Sequence, residues 1–328
     1  MARVLITGAT GFLGGALVRQ LARTGVDVIA TGRDLARLDL LPVPPQARMA
    51  LDLAAPLLET DSRFSGVTSI VHCAALSSPW GPYSAFEAAN VTATAALVAL
   101  ARHIGVAHFV LVSTPSVYFQ FADQIGIPEE APLPAPVNAY ARTKRLAERC
   151  VAQSGLPFTI IRPRGIYGAG DTGLLPRLLR AAQSGALPLL RQGQAVTDIT
   201  HVDDVVAAIC TVLDQPARSL GKTFNVSGGE ALRLTRIIDA ACAANGITAR
   251  WRPLPVGPAL AAVRLAEIVA RLTPGRPEPR ATAYGLGILA YSQTLDLTKA
   301  RRDLGWSAQI PFDEGLRRTF PPRGGRGT

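Results

Sequence analysis

Short apolar and β-branched runs alternate with stretches of helical periodicity through the first half of the chain. The pattern predicts strands near 3–7, 26–31, 47–51, 69–73, 107–112 and 157–161, and helices near 12–24, 83–103 and 138–153. Such alternation predicts an α/β fold: a doubly wound parallel sheet with helices on both faces. The strand runs lack the alternating polarity of a half-exposed sheet. Phe109-Val110-Leu111-Val112 is apolar throughout, as a strand covered on both faces must be.

Beyond about residue 165 the rhythm changes. Gly165, Gly168, Gly170, Gly173 and Pro176 crowd the chain, and strand signals are sparse until Thr223-Phe224-Asn225-Val226. The expected organisation is a nucleotide-binding domain over 1–165, rejoined by about 196–227, and a smaller substrate-binding domain over most of 166–328. Prolines 253, 255, 258, 274, 277 and 279 bracket an amphipathic segment, Leu260–Leu272, which reads as a lid helix or as a packed surface helix. The Pro-, Gly- and Arg-rich tail 321–328 reads as disordered.

Composition narrows the class. With 328 residues, 48% apolar and 18% charged, the chain can bury a large core without a disulfide or metal staple. Its net charge of +10 comes from arginines spread along the chain, with lysine only at 144, 222 and 299. No basic run with interleaved aromatics occurs, so a phosphate-bearing cofactor or a carboxylate explains the charge better than nucleic acid. Cys73, Cys150, Cys210 and Cys242 form no CxxC pair, and His72, His103, His108 and His201 share no ligand spacing, so no metal is expected. The N-terminus reads as a strand, not a signal peptide. The apolar stretches Val205–Leu213 and Ala259–Leu272 are too short or too interrupted by charge to span a bilayer. A soluble, cytoplasmic protein is expected.

Gly8-Ala9-Thr10-Gly11-Phe12-Leu13-Gly14 follows the first strand and opens the first helix. Gly8 permits the tight turn, Gly11 lets a pyrophosphate approach the backbone, and Gly14 lets the helix pack closely on the sheet. This context makes the sheet Rossmann-type and the motif a dinucleotide site. The second strand ends in Gly32-Arg33, where an NAD-specific protein presents a carboxylate to the ribose. Arg33, with Arg37 or Arg3, instead suits a 2′-phosphate, so NADP(H) is preferred and NAD(H) remains an alternative. Asp52 and Leu53 end the third strand, where Asp52 either reaches the adenine or caps a turn.

Tyr140 and Lys144, four apart, share one helical face. With six tyrosines and three lysines, chance gives about 0.05 such matches in the chain. A phenol with its ordinary pKa near 10 is a poor catalyst at neutral pH, and an adjacent ammonium stabilises phenolate. Ser113, Thr114 and Ser116 emerge at the carboxyl end of the fifth strand, the edge where open α/β sheets bind ligands.

Together, Thr7–Gly14, His72-Cys73-Ala74-Ala75, Asn90-Val91-Thr92, the Ser/Thr cluster and Tyr140-xxx-Lys144 resemble the extended short-chain dehydrogenases/reductases. The resemblance continues through Arg162–Gly168, His201–Asp204 and Asp296–Trp306, nearly the whole chain. It implies that Tyr140 donates a proton to a carbonyl, that Lys144 lowers its pKa and holds the nicotinamide ribose, and that Thr114 steadies the carbonyl oxygen. Serine is commoner than threonine there, so Ser113 and Ser116 are alternatives. The resemblance also implies that Ala74, Ala75 and Pro163 border the cofactor and that Asn90 supports the active site.

Within this family Thr197 stands where nucleotide-sugar epimerases and dehydratases usually carry arginine, and Phe119 where they often carry glycine. The segment Ser77–Tyr83, Phe119-Gln120-Phe121 and the Tyr140 helix look most like the 3β-hydroxysteroid dehydrogenase-like branch, which includes 2-alkyl-3-oxoalkanoate reductases. That likeness implies an NADPH-dependent ketoreductase acting on a hydrophobic 3-oxo acid or sterol-like ketone. Trp80, Tyr83 and Phe119 are candidates for its apolar pocket, and Arg164 for a carboxylate anchor. The alternatives are a nucleotide-sugar epimerase or dehydratase with recycled NAD and a non-catalytic dinucleotide sensor. Members of the family often pair helices corresponding to 83–103 and 138–153 across a homodimer. Here Ala88, Ala89, Ala93, Ala95, Ala96 and Ala99 suit either such an interface or packing on the sheet.

Overall fold

A computed structural model describes residues 3–55 and 61–321. Residues 322–328 of the expected disordered tail lie outside the described residues. The main sheet comprises β1 (Arg3–Thr7), β2 (Asp27–Gly32), β3 (Arg48–Ala50), β4 (Val67–His72), β5 (His108–Val112), β6 (Phe158–Pro163) and β7 (Lys222–Val226). All its neighbours run parallel in the order β3-β2-β1-β4-β5-β6-β7. The order reverses between β1 and β4, so the crevice for a ligand opens at their carboxyl ends.

Both faces are covered, which explains the unbroken apolar strands. On one side Leu13, Leu17 and Leu21 of the helix Phe12–Arg23 pack with Val205 and Ile209 of Val202–Asp214 against Val4, Ile6 and Val110. On the other, Leu97 and Ala101 of Ala93–Ile104 and Ala147 and Val151 of Ala139–Ala152 cover Leu5, Phe109 and Leu111.

One helical stretch, Tyr83–Ile104, is long and apolar enough to cross a membrane by length and composition, at mean hydropathy 1.3. It is the helix expected near 83–103. Its buried side belongs to the core just described, and Gly105 ends it in the left-handed region at φ 68°. Of its alanines Ala93 and Ala101 are fully buried against the sheet. Ala95 and Ala99 are exposed.

The later half builds smaller sheets. One runs in the order Leu232–Arg233, Val196–Thr197, Gln293–Leu295, Gln124–Ile127, and draws its last strand from before residue 165. Ile166–Tyr167 pairs with Thr200–His201, and Leu187–Leu189 with Trp251–Pro253. Two- and three-residue strands among Gly and Pro carry no readable periodicity, so the sequence pattern missed them. The helix Val256–Leu272 starts four residues before the expected segment.

A buried polar thread ties the sheet to the helices. The Ala74 amide donates to Thr7 Oγ1 at 3.3 Å, and Thr7 Oγ1 lies 2.7 Å from His72 Nδ1. His72 Nε2 lies 3.0 Å from Thr94 Oγ1, whose hydroxyl donates to the Asn90 carbonyl at 2.6 Å. That leaves Thr94 Oγ1 as acceptor, which assigns the imidazole as neutral with its proton on Nε2 and Nδ1 accepting from Thr7. Burial, and secondarily the Lys144 charge, push the His72 pKa down to about 3. Burial alone takes His108, hydrogen-bonded to Thr159 Oγ1 at 2.8 Å, down to about 4.

Unfolding exposes both imidazoles to water, where they take up protons below their ordinary pKa of 6.5. Their contribution to stability is therefore complete above pH 6.5 and is lost progressively as pH falls towards 4 and 3. Each removes up to about 1.4 kcal/mol per pH unit in that window. Thermal unfolding should show a lower Tm at pH 5 than at pH 7; an unchanged Tm would mean that both imidazoles take up protons within the fold.

Candidate active site

At the carboxyl edge, β1 runs into Gly8 with φ +67°. A Cβ there would lie 2.7 Å from the Ala74 nitrogen, so the turn can pack beside the chain leaving β4 only as glycine. At Gly14 a Cβ would meet the Gly8 carbonyl oxygen at 2.2 Å. Alanine would gain roughly 1 kcal/mol of helix propensity, but a backbone clash this close outweighs it.

Gly11 is different. It is exposed and opens the helix Phe12–Arg23 with no side-chain cap and no acidic residue in the first turn. Amides at the positive end of the helix thus face an uncovered glycine, a surface suited to a pyrophosphate. Thr10 packs against Gly32 at the end of β2, where any Cβ would strike its side chain. Leu13 belongs to the core, so only its backbone can face a ligand. These residues fit a dinucleotide.

The candidate ribose residues divide. Arg33 is exposed directly after β2 and has no ion-pair partner among the described residues. Arg37 pairs with Asp34 at 3.7 Å. Arg3 lies at the opposite, amino-terminal end of the sheet, paired with Asp27 at 3.2 Å and donating to the Ser65 carbonyl. Its expected part in holding a 2′-phosphate is therefore corrected: the length of β1 separates it from the crevice. Asp52 is exposed and accepts from the Ala54 amide at 3.0 Å, the turn-capping alternative, while Leu53 is buried in the core.

Tyr140 stands in the first turn of Ala139–Ala152, a helix capped by Asn138 Oδ1 accepting from the Ala141 amide at 2.8 Å. Its hydroxyl lies beside Ser77 and Thr114, and burial raises its pKa against the lowering effect of those two hydroxyls. Lys144 Nζ donates to the Val112 carbonyl at 2.6 Å, and burial, opposed by Glu148, lowers its pKa to about 8. Burial is the largest influence on both groups, raising the pKa of the phenol and lowering that of the ammonium.

Thr114 Oγ1 accepts from the Ser116 amide at 3.2 Å and lies 3.0 Å from Ser116 Oγ, which lies 2.7 Å from Tyr284 Oη. A row of hydroxyls therefore runs Tyr140, Thr114, Ser116, Tyr284. Ser113 points elsewhere: its hydroxyl donates to Glu148, which also binds Arg162 through Nε at 2.9 Å and Nη2 at 2.7 Å. Arg162 in turn reaches Tyr118, whose hydroxyl donates to Asn225 Oδ1 at 3.0 Å. Of the three hydroxyl candidates, Thr114 is the one that meets Tyr140.

Asn90 sits in a π-helical turn, Ala88–Thr92. Its Oδ1 accepts from the Leu76 amide at 2.7 Å, and its Nδ2 donates to the Leu76 carbonyl at 3.2 Å and to Thr143 Oγ1 at 3.0 Å. The carboxamide clamps the chain after β4, which carries Ala74, Ala75 and Ser77, to the helix of Tyr140. Pro163 is buried at the end of β6.

The expected substrate residues meet two fates. Trp80 and Tyr83 are half-buried, Trp80 under the Arg271 guanidinium at 5.6 Å and Tyr83 under that of Arg142 at 4.7 Å. Phe119 is 2% exposed, packed edge-on against Phe121 and Tyr284, so it backs the aromatic wall and does not line an open surface. Arg164 is no free anchor. It donates to Thr197 Oγ1 at 2.8 Å and to Gln293, with Asp198 3.8 Å away, so this buried network already supplies its acceptors and its anion. Ser77 and Tyr284 were not among the expected site residues. Ser77 was within reach of inference, five residues after β4 ends; Tyr284, remote in sequence, had no signal.

The NAD dependent epimerase/dehydratase family matches residues 4–227. A 2-alkyl-3-oxoalkanoate reductase of Stenotrophomonas maltophilia is 32% identical, over 96% of this chain and 98% of its own. A 4-hydroxy-2-methyl-3-oxo-4-farnesyl-3,4-dihydroquinoline-1-oxide ketoreductase of Stigmatella aurantiaca is 30% identical, over 96% and 94%. Among solved structures, MoeE5 in complex with UDP-glucose and NAD superposes with a TM-score of 0.74 at 24% identity, covering 97% of each chain, a likeness of fold. With the match spanning more than half its length, the chain belongs to the NAD dependent epimerase/dehydratase family and is an oxidoreductase of that family.

Proposed function

We propose that the protein is an NADPH-dependent ketoreductase that converts a hydrophobic 3-oxo acid or sterol-like ketone to the alcohol. The observation that carries this reading is the hydroxyl row from Tyr140 through Thr114 and Ser116 to Tyr284, set beside the glycine turn at the carboxyl edge of the sheet. A bound nicotinamide supplies hydride chemistry at the carbonyl carbon. The protein's part is to hold that carbonyl, give its oxygen a proton and keep water away.

Tyr140 is suited to giving a proton. Because burial raises its pKa, the phenol stays protonated at neutral pH and is ready as a general acid in the reductive direction. Thr114 is suited to steadying the oxygen. Thr114 donates to Ser116 at 3.0 Å, and a carbonyl oxygen held beside Thr114 would draw on that same proton. Lys144, anchored on Val112, keeps a cation under the site below about pH 8.

The substrate class is supported by Trp80, Tyr83 and the Phe119, Phe121 and Tyr284 wall, with Thr197 buried against Arg164 in place of a free guanidinium. The relatives named above, one a 2-alkyl-3-oxoalkanoate reductase and the other a ketoreductase of a farnesylated compound, point the same way. For the cofactor, the exposed Arg33 after β2, without an ion-pair partner among the described residues, favours a 2′-phosphate. A homodimer through the 83–104 and 139–152 helices is part of the reading, supported by the exposed Ala95 and Ala99.

Tyr140→Phe should lower kcat for 2-alkyl-3-oxoalkanoates about 10²- to 10⁴-fold while leaving NADPH affinity unchanged. Steady-state oxidation of NADPH with these acids and with steroid ketones checks this; no turnover of any of them by the wild type would refute the reading. Arg33→Ala should raise the KM for NADPH roughly tenfold or more and leave that for NADH in place. Equal effects on both cofactors would remove Arg33 from phosphate recognition. Light scattering should give twice the 34.5 kDa chain mass.

A further inference from the structure

The helix Val256–Leu272 is amphipathic the wrong way round for a helix on a soluble surface. Of its charged residues Glu267 is half-buried, while Arg264 and Arg271 are exposed at the edge of the outer face and reach back over aromatic rings of the protein. The Arg264 guanidinium lies 5.2 Å from the Phe121 ring centre and that of Arg271 5.6 Å from Trp80, while Glu267 Oε1 accepts from the Ala283 amide at 2.8 Å. At 100° per residue, Pro258, Ala261, Ala262, Leu265, Ile268, Val269 and Leu272 fall on the opposite face, and every one is exposed. Leu265 is 62% and Leu272 81% exposed. Four of the eight large hydrophobic residues exposed among the described residues lie on this one stripe, which bears no charge.

We infer that this face seats the protein on an anionic lipid surface. Charge decides between a bilayer and another partner. Residues 250–280 hold six arginines and two glutamates, and both glutamates are already engaged, Glu267 at the Ala283 amide and Glu278 with Arg177 at 3.7 Å. Arg252 just before the helix and Arg276 and Arg280 just after it are exposed. An apolar stripe flanked by arginines is complementary to acyl chains below anionic headgroups. Area argues against a second copy as the occupant. A stripe from 258 to 272 is about 22 Å long and about 10 Å wide, on the order of 200 to 300 Å², whereas a stable interface takes about 800 Å² from each partner.

The placement gives the surface a use. The segment after the helix meets the site through Trp80 Nε1, which donates to the Arg276 carbonyl at 3.0 Å. The helix itself packs on Ala283–Ala290, which carries Tyr284. A protein seated by this face opens its aromatic wall beside the bilayer, where a long-chain ketone would reside. This last step rests on the ketoreductase reading; the docking itself does not.

The test is sedimentation of the full chain with vesicles, without substrate or cofactor, so its outcome is independent of catalysis. Wild type should sediment with phosphatidylcholine vesicles containing about one-third phosphatidylglycerol, and far less with phosphatidylcholine alone. Leu265→Ser, Ile268→Ser and Leu272→Ser combined should weaken that binding about tenfold or more. Arg276→Glu with Arg280→Glu should abolish the preference for the anionic lipid. Leu35→Ser with Leu40→Ser, which removes exposed leucines elsewhere, should change neither, and circular dichroism confirms that each variant is folded. Wild type remaining in the supernatant with both vesicles, or the triple variant binding as wild type does, overturns the proposal. A triple variant of lower solution mass than wild type, without vesicle binding by either, overturns it in favour of a second copy on this face.

Discussion

The Asn90 carboxamide is the joint through which the two halves of the site are held in register. It pairs with both the amide and the carbonyl of Leu76, and so fixes the chain that leaves β4 beside the glycine turn. It also donates to Thr143, the residue next to Lys144 and three after Tyr140. Loss of one such buried partner costs more than the bond itself, because the groups left behind are desolvated and unpaired. The π-helical turn is what points Asn90 inward, since its extra residue per turn rotates the side chain away from the face a regular helix would present.

Behind Asn90, the thread through Thr94, His72 and Thr7 carries the constraint down to the sheet. It works only with a neutral imidazole, and burial supplies that neutrality. The same desolvation sets the acid–base character of the site. It keeps the Tyr140 phenol protonated and brings Lys144 close to the point of losing its charge. The Lys144 ammonium donates to the Val112 carbonyl, and the Tyr140 phenol lies beside Ser77 and Thr114.

Much of this was legible in the chain. The seven-stranded sheet follows from apolar runs separated by helical periods, and the dinucleotide turn from three glycines whose spacing has a steric reason at each position. What periodicity could not show is long-range. Arg164 next to Pro163 looked like a free cation because its acceptors, Thr197 and Gln293, come from strands of two and three residues far along the chain. Arg3 was legible as misplaced, since it opens the strand whose far end carries the glycine turn. Glu148 was within reach of inference: four residues after Lys144, it shares a helical face with a cation and answers the buried Arg162. Tyr284 was not, since a tyrosine in a glycine-rich helix 168 residues from Ser116 carries no local mark.

The central claim is that a protonated Tyr140, over a charged Lys144, gives a proton to a ketone. The dependence of kcat/KM on pH for NADPH-driven reduction tests this most directly, because it reports the ionisations of the free enzyme. The account gives a level profile through neutrality that falls above about pH 8, where Lys144 loses its charge. A rate that climbs with pH through the same range would mean that the active form is the phenolate, and would contradict it.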